Sequence, residues 1–295
     1  MRVVACAHLY PPASRVGSWI STHEYLAHLV RRGHRVDVVR LRAGRRADYE
    51  HEGVTVHSGP GWVERLPADV LIAHCSDGGA VTNADVPTVR FVHMPCRASD
   101  LDADLVVWNS EASRVPISGR SMVLHPPVDP AKYATTPGDA VTLVNLTKAK
   151  GVHTFWQLAE AMPDVRFLGV KGGYGHQHPP KLPNVEIMAS QRDMRAVYAK
   201  TRILLAPSEY ESWGRVGVEA MASGIPVIAH PTPGLIESLG DAGTFVPRSD
   251  IDGWEHAIRS MDWDAQSAKA KARSAELDPA DDLDLFADTI EAMCN

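Results

Sequence analysis

The sequence predicts an α/β protein with two doubly wound, Rossmann-like domains, and three observations support this. Short apolar runs rich in β-branched residues alternate with stretches of helical periodicity along the 295 residues, which is typical of parallel sheets covered on both faces. The segment PPVDPAKYATTPGD is rich in proline, which interrupts helices and central strands. The alternation then restarts. We therefore predict domains at 1–125 and 140–295, joined by a linker at 126–139, with their carboxyl-end loops facing a shared cleft.

The elements of the first domain follow from these patterns in order. RVVACAH (2–8) reads as the first strand, because it is apolar and rich in β-branched residues. Residues 17–32 have apolar side chains at helical spacing, and Gly33 ends this predicted helix. Further strands are predicted in RVDVVRL, VTVHSG, DVLIAHCS, TVRFVHMP and LVVWNS.

The second domain repeats the same alternation. AVTLVNL, the first part of VRFLGVKGG, RILLAPS and PVIAH read as strands, and VHTFWQLAEAM and DMRAVYAKT read as helices. RVGVEAMAS is a further helix, closed by Gly224. The C-terminal helix can either stay with this domain or pack back on the first one.

Composition excludes several classes of protein. A hydrophobic content of 44% with 22% charged residues is typical of a soluble globular chain. No apolar run approaches the roughly 18 residues that a membrane-spanning helix needs, and the N-terminus lacks the features of a signal peptide. The four cysteines are scattered without a C-x-x-C pair, which favours reduced thiols over a disulfide framework or a zinc site. We therefore expect a cytoplasmic protein.

Two acids flank the predicted turn between RILLAPS and the helix that follows it. Glu211 lies in the turn and Glu219 about one helical turn inside the helix, with Gly214 and Gly217 between them. The first turn of a helix offers unpaired N–H groups and positive potential, which suit a phosphate group. The two carboxylates can then accept hydrogen bonds from neutral hydroxyls. This favours a sugar joined to a nucleoside through a diphosphate, although a surface helix with an ordinary capping acid stays open.

The stretch E-S-W-G-R-V-G-V-E-A-M-A-S-G-I-P-V-I-A resembles the E-x7-E signature of retaining glycosyltransferases of GT-B architecture, in the family numbered four or "glycosyl transferases group 1". VRFVHMP, LVVWNSEASR, HPPVDPAKY, LTKAKGVHTFWQLAEAMPDVRFLGVKGG and APSEYES resemble other segments of that family, in the same order. The resemblance implies an N-terminal acceptor domain and a C-terminal donor domain. It also implies metal-independent, retaining transfer of a sugar from a nucleoside-diphosphate sugar to an acceptor hydroxyl.

The resemblance also implies roles for individual residues. Glu211 would contact the transferred sugar, Lys150 would neutralise the diphosphate, and His93 would lie near the reacting centre. Glu219 would hold the ribose hydroxyls. The other donor-binding positions implied in this way are Gly17, Ser18, Asn145, Lys148, Gly172, Gly173, Met188, Ala189, Ser212, Trp213, Gly214, Arg215 and Val216.

The chain departs from the family pattern at two positions. The family arginine five positions before the lysine is replaced by Asn145, and Lys148 is the candidate to supply the missing charge. The loop after the first strand has Gly17 where the family usually has a pair of glycines. Both departures concern groups that would contact the donor phosphates.

The acceptor side is less defined by the sequence. His8 and Tyr10 follow the first strand, and Arg42, Arg45 and Arg46 follow the second. These arginines indicate either a solvated loop or an anionic acceptor: a lipid head group, a phosphorylated metabolite, a protein or a modified nucleic acid. Peripheral membrane contact is compatible with such a patch, whereas the net charge of −6 argues against extensive duplex binding.

We expect no cofactor and no metal, with the nucleotide sugar, a UDP- or GDP-sugar, as co-substrate. Two other functions stay open on the same fold. One is a nucleotide-sugar epimerase or a phosphorylase, and the other is a non-catalytic sugar-nucleotide-binding protein. An oxidoreductase is disfavoured, because no G-x-G-x-x-G follows the first strand.

Overall fold

The computed structural model describes residues 1–12, 16–41, 47–63, 65–74, 84–97, 101–173, 177 and 180–294. The chain forms two compact units. Unit 1 comprises Met1–Pro127 together with Pro279–Asn295, and unit 2 comprises Val128–Asp278. Within the described ranges, no helix is both long enough and apolar enough to cross a lipid bilayer.

The described part of unit 1 contains an eight-stranded sheet in the order β3-β4-β2-β1-β5-β6-β7-β8. Its pairs are parallel, except for the antiparallel hairpin of β3 and β4. Every residue of β6 and β7 is buried, and apart from Thr88 and Arg90 of β6 their residues are apolar, as expected of strands covered on both faces. The strand bounds are β1 Arg2–Ala7, β2 Arg35–Arg40, β3 Tyr49–His51, β4 Val54–Ser58, β5 Val70–His74, β6 Thr88–Val92, β7 Leu105–Trp108 and β8 Arg120–Val123.

Two helices pack together in unit 1, although they are far apart in sequence. They are α1 (Gly17–Arg31) and the last helix, α9 (Ala280–Met293). Phe286 of α9 lies in the core with Tyr25 and Phe91, with ring centroids 5.1 and 5.4 Å from its own. Arg32, at the end of α1, pairs with three acids of α9: Asp284, Asp288 and Glu291. The last helix of the chain therefore completes the core of unit 1.

Unit 2 contains a six-stranded parallel sheet in the order β11-β10-β9-β12-β13-β14, counted over the described residues. Side chains of β12 alternate between two apolar clusters: Leu204 lies in one, and Ile203 and Leu205 lie in the other. This alternation shows that the sheet is covered on both faces. The strand bounds are β9 Ala140–Val144, β10 Phe167–Val170, β11 Val185–Met188, β12 Thr201–Ala206, β13 Val227–Ala229 and β14 Gly243–Phe245.

The helices of unit 2 supply the two covering layers. Ala220 and Met221 pack on one face, and Phe155 and Trp254 on the other. The helix bounds are α2 Pro130–Tyr133, α3 Val152–Ala161, α4 Arg195–Tyr198, α5 Arg215–Met221, α6 Pro233–Leu239, α7 Ile251–Arg259 and α8 Trp263–Glu276.

The structure confirms the predicted fold class and adds elements that the sequence patterns did not indicate. The strands β8, β11 and β14 lie at sheet edges, and their residues are largely only partly buried, so the apolar signal is weak. The helix predicted in DMRAVYAKT is a single turn, Arg195–Tyr198, because Thr201 already begins β12. The proline-rich segment 126–139 contains α2, which belongs to unit 2.

Candidate active site

The loops after β9 and β12 are in direct contact at the carboxyl ends of these neighbouring strands. The backbone N–H of Glu209 donates a hydrogen bond to the carbonyl of Ala149, at 2.8 Å. Gly151 has a φ of +85°, and a Cβ at this position would clash with the carbonyl oxygen of Pro207. Only glycine satisfies both requirements at little cost. Ligands of open parallel sheets bind at such strand ends.

This contact brings the two catalytic candidates of unit 2 together. The ammonium group of Lys150 forms an ion pair with Oε1 of Glu211, and the two side chains are 27% and 19% exposed. Ser208 donates a second hydrogen bond to the same oxygen, at 2.9 Å. The sequence predicts both residues at the donor site but not their pairing. A phosphate group that attracts Lys150 would therefore release a carboxylate at the same place.

The turn that carries Glu211 rests on the start of α6. A Cβ at Gly234 would clash with the backbone carbonyl oxygens of Glu211 and Ser212. Thr232 caps α6 by accepting a hydrogen bond from the N–H of Leu235, at 3.3 Å. Sequence reasoning missed Gly234. A glycine in the first turn of a helix was the available signal, because it weakens the helix unless a close approach requires it.

The residues around the start of α5 differ in their accessibility. Ser212 and Val216 are half-buried. The side chain of Trp213 is buried in an apolar cluster with Val128 and Val218. It therefore packs inside unit 2, and a ligand would meet its backbone rather than its ring. The N-cap residue of α5 is Gly214, which has no side chain to cap the helix, and this is the end of the helix where the phosphate is predicted to bind.

Glu219 lies in a buried polar network. Its Oε1 accepts a hydrogen bond from Nε of Arg215 at 2.7 Å, and its Oε2 accepts one from the hydroxyl of Tyr198 at 2.8 Å. Arg215 also donates to the hydroxyl of Tyr133, at 2.8 Å. Burial, and then the charge of Glu219, raises the pKa of Tyr198 well above its ordinary value, so the hydroxyl stays protonated. A carboxylate has about four acceptor positions, and these two contacts do not use all of them.

Three neighbouring strand ends carry the residues predicted near the nucleobase. The side-chain oxygen of Gln177 accepts hydrogen bonds from the N–H groups of Leu146, at 2.9 Å, and Gly172, at 3.0 Å. It thereby joins the loops after β9 and β10. Asn145 has a φ of +73°, and its side chain occupies the space where a Cβ of Gly172 would lie. The remaining candidates on these loops are Gly173, Met188 and Ala189, of which Gly173 and Ala189 are exposed.

Lys148, the candidate for the missing charge, is exposed. Its carbonyl oxygen accepts a hydrogen bond from Nη2 of Arg248, at 2.6 Å. Nη1 of Arg248 also lies 3.6 Å from Oε2 of Glu209. Arg248 therefore ties together the loops that carry Lys150 and Glu211. Sequence reasoning missed this residue, because it lies 100 positions from Lys148 and in no motif.

In unit 1, His93 follows β6 and lies against His74, at the end of neighbouring β5. The two rings stack with centroids 4.9 Å apart. Burial lowers the pKa of His74 to about 4, and burial and then His74 lower the pKa of His93 well below its ordinary value. Both rings are therefore neutral near pH 7. The hydroxyl of Thr22 donates to the carbonyl of Ser18 at 3.0 Å, so at 3.3 Å it can accept the Nε2–H of His93.

The other candidates of unit 1 divide by accessibility. Gly17 and Ser18 begin α1 and are half-buried, as is His8 after β1. Tyr10 is 1% exposed, and its hydroxyl bonds to Nδ1 of His23. The structure therefore does not support an acceptor contact for Tyr10. The predicted acceptor residues Arg42, Arg45 and Arg46 lie outside the described residues.

Sequence comparisons find relatives among glycosyltransferases. Residues 141–261 match the model of a family described as glycosyl transferases group 1. The D-inositol 3-phosphate glycosyltransferase of Mycobacterium sp. (strain KMS) is 28% identical over 259 residues, which cover 72% of this chain and 58% of the relative. The chain thus spans little more than half the length of this relative. The O-antigen chain mannosyltransferase B of Escherichia coli is 35% identical over 82 residues, 28% of this chain and 22% of the relative.

Solved structures resemble the chain over nearly its whole length. A sucrose-phosphate synthase from Thermosynechococcus elongatus superposes with a TM-score of 0.83 at 16% identity, covering 99% of this chain and 98% of the other. HepE of Anabaena, in complex with UDP and glucose, superposes with a TM-score of 0.79 at 19% identity, covering 99% of both chains. At such identities the likeness shows the fold alone.

Proposed function

We propose that the protein transfers a sugar from a nucleoside-diphosphate sugar to a hydroxyl group of an acceptor, because residues 141–261 match the model of the glycosyl transferases group 1 family. The observation that carries this proposal is the ion pair of Lys150 and Glu211 on the touching loops after β9 and β12. A cation and a carboxylate at one place suit a ligand that has an anionic leaving group beside a neutral sugar.

The chemistry follows from an exchange of partners at this ion pair. The donor diphosphate attracts Lys150, because two phosphate groups offer more negative charge than one carboxylate. Glu211 is then free to accept hydrogen bonds from hydroxyls of the transferred sugar. As the glycosidic bond breaks, negative charge grows on the diphosphate, and a lysine already in place stabilises that charge.

The nucleoside end of the donor is proposed to bind at the buried network around Glu219. Arg215 and Tyr198 hold the carboxylate of Glu219 from two sides, and its remaining acceptor positions would bind the ribose hydroxyls. The loops joined by Gln177 would border the nucleobase. The donor is proposed to be a UDP- or GDP-sugar, and the complexes of HepE with UDP and with UDP-glucose support the first of these.

The transfer is proposed to retain the anomeric configuration of the sugar and to need no metal ion. The resemblance of the Glu211–Glu219 stretch to the E-x7-E signature supports retention. Lys150 supplies a fixed positive charge, which is the role that a divalent ion has at many diphosphate sites.

For the acceptor, the proposal favours a phosphorylated metabolite over a lipid head group, a protein or a nucleic acid. Its support is that several relatives are named D-inositol 3-phosphate glycosyltransferases. His93 is proposed to contact the transferred sugar through a neutral imidazole. A cytoplasmic location fits a nucleotide-sugar donor.

The decisive experiment measures nucleotide release from UDP-, GDP- and ADP-sugars, with and without phosphorylated polyols as acceptors. We expect acceptor-dependent release from one donor, and a glycoside product whose anomeric configuration, determined by NMR, matches the donor. Lys150→Gln should reduce kcat by about 10²–10³-fold, the loss seen when one charge-stabilising donor is removed. Lys200→Gln, which breaks the exposed pair with Glu186 in the same unit, serves as the control and should leave kcat unchanged.

Three outcomes would contradict the proposal. Donor consumption without an acceptor would indicate an epimerase, and strict dependence on inorganic phosphate would indicate a phosphorylase. Tight donor binding in calorimetry, without turnover on any acceptor, would indicate a non-catalytic binding protein.

A further inference from the structure

A cluster of metal-binding side chains lies in unit 1, apart from the residues assigned above to the donor. It consists of His23 on α1, His51 at the end of β3, and Glu52 in the turn to β4. One potential ligand atom from each residue lies within 4.8 Å of the other two. Among the described residues, this is the one group of three histidine, cysteine, aspartate or glutamate residues whose potential ligand atoms lie this close together.

His23 is oriented as a metal ligand would be. The residue is 3% exposed, and its Nδ1 lies 2.8 Å from the hydroxyl of Tyr10. Its Nε2 is buried and has no hydrogen-bond partner among the described residues. Oε2 of Glu52 lies 3.4 Å from Nε2, in an ion-pair contact. Histidine ligands usually make a hydrogen bond through the nitrogen that does not bind the metal, and Tyr10 supplies that bond here.

The two ring nitrogens of His23 have different surroundings. Nδ1 is in hydrogen-bond contact with the hydroxyl of Tyr10, whereas Nε2 and Oε2 of Glu52 face each other at 3.4 Å. An ion placed between this nitrogen and this carboxylate oxygen would be coordinated by both.

The backbone of the turn also points to a functional constraint. Glu52 has a φ of +49°, a conformation that glutamate rarely adopts. Gly53 follows with a φ of +78°, and a Cβ there would lie 2.7 Å from Cγ1 of Val30 on α1. The turn is therefore pressed against α1, which places the Glu52 carboxylate beside His23. Unusual conformations of this kind are retained where the surrounding structure holds them, often at functional sites.

We propose that His23, His51 and Glu52 bind a first-row transition-metal ion such as Zn²⁺, which accepts both nitrogen and oxygen ligands, and that water completes the coordination. Two imidazole nitrogens and one carboxylate oxygen form a donor set that suits Zn²⁺, whereas Mg²⁺ and Ca²⁺ prefer oxygen ligands alone. The ion would fasten the β3–β4 hairpin to α1. This site is independent of the sugar-transfer proposal.

Binding requires a defined movement of His51. Its ring stacks on that of His23, with centroids 4.5 Å apart and an angle of 20° between the planes. A nitrogen lone pair lies in the plane of its ring, so two stacked rings cannot both direct lone pairs at one ion. His51 is half-buried at the end of a short edge strand, and metal binding requires its ring to rotate out of the stack so that a nitrogen lone pair points at the ion.

The experiment uses the full chain after dialysis against a chelator. Zn²⁺ alone is titrated by calorimetry, and the thermal unfolding midpoint is measured with and without Zn²⁺ and Mg²⁺. We expect one Zn²⁺ per chain, a rise in the midpoint with Zn²⁺ only, and visible absorption bands with Co²⁺. His51→Ala should weaken Zn²⁺ binding at least ~10-fold, and Tyr10→Phe, which removes only the hydrogen bond to Nδ1 of His23, by about 10–100-fold.

Two further variants separate metal binding from structural effects. Glu52→Gly relieves the unusual backbone conformation, so it should not lower the midpoint without Zn²⁺ but should abolish the rise with Zn²⁺. His34→Ala removes a histidine that is paired with Glu291 and serves as the control, with Zn²⁺ binding unchanged. Absence of Zn²⁺ binding by the parent protein would overturn the proposal. Equal Zn²⁺ affinity in the parent, His51→Ala and Glu52→Gly proteins would also overturn it.

Discussion

Replacing Arg215 with methionine removes the cation of a buried ion pair and leaves the Glu219 carboxylate with the hydrogen bond from Tyr198. In the intact pair, Nε of Arg215 lies 2.7 Å from Oε1 of Glu219, and the two side chains are 8% and 6% exposed. Removing one partner of such a pair costs about 3–5 kcal/mol, because the other charge stays buried. A loss of 1 kcal/mol in unfolding free energy lowers the thermal unfolding midpoint by about 2–4 °C in a domain of this size. Arg215→Met should therefore lower the thermal unfolding midpoint by roughly 6–20 °C.

Thermal unfolding measures the shift of the midpoint, and urea unfolding measures the loss of free energy. Both can be followed by tryptophan fluorescence, because Trp213 and Trp254 are buried in the same unit. The double variant Arg215→Met/Glu219→Gln removes both charges of this pair, and its glutamine oxygen can still accept the hydrogen bond from Tyr198. It should therefore recover most of the lost stability. Arg195→Met is the matched control: its pair with Asp193 has the same 2.7 Å separation, but the side chains are 53% and 54% exposed. Its cost should be much smaller than that of Arg215→Met, because solvent screens this exposed pair.

Two results would refute this reasoning. One is a double variant whose loss of stability equals the sum of the losses of the two single variants, since the charges would then not be coupled. The other is an equal loss for Arg195→Met and Arg215→Met. In that case contact distance, and not burial, would set the cost.

Three further predictions concern the turn and the last helix. Glu211→Gln keeps the shape of the side chain but removes its charge, so kcat should fall by at least ~10²-fold, while binding of the nucleoside diphosphate should not weaken, because the diphosphate no longer competes with a carboxylate for Lys150; an unchanged kcat would contradict the role of Glu211. Gly234→Ala places a methyl group against the turn carbonyls and should cost about 1–3 kcal/mol in urea unfolding. Gly61→Ala, with no neighbour within 4 Å, should cost little, and equal effects would contradict the clash. The hydrogen bond from His34 holds the pKa of Glu291 below its usual 4.5, so this stabilisation is present above pH 4.5 and is lost as the pH falls through the lower, folded-state pKa. The protection factors of the α9 amides, which are corrected for the intrinsic pH dependence of hydrogen exchange, should therefore fall below about pH 4.5; constant protection factors down to pH 3 would contradict this.

The central strands of both units and the helices α1 and α3 were predictable, because their apolar residues form short runs or recur at helical spacing, whereas α7 and α8 were not predicted. β11 was not predictable in the same way: Glu186 is exposed and its neighbours are half-buried, which is the weak pattern of an edge strand. The return of α9 to unit 1 also escaped a definite prediction. Its charged pairs with α1 join residues about 250 positions apart, and local periodicity carries no information about such partners.

In the candidate site, too, features set by nearby residues were predictable from the sequence, and contacts between distant residues were not. The spacing of Glu211 and Glu219 and the position of Lys150 before α3 were readable as local patterns. The i,i+4 spacing of Arg215 and Glu219 could also have been read, since residues so spaced on a helix are neighbours. In contrast, the contact of Tyr198 with Glu219 and the stack of His74 on His93 depend on tertiary structure. They became visible only when strands and helices were placed in space.

The return of α9 has a consequence for synthesis on the ribosome. Phe286, Ala287 and Ile290 complete the apolar core of unit 1, yet they are translated after all of unit 2. A nascent chain can therefore finish folding unit 2 while unit 1 still exposes the groove that α9 will fill. During that interval, unit 1 is the part of the chain on which a chaperone that recognises apolar surface would act.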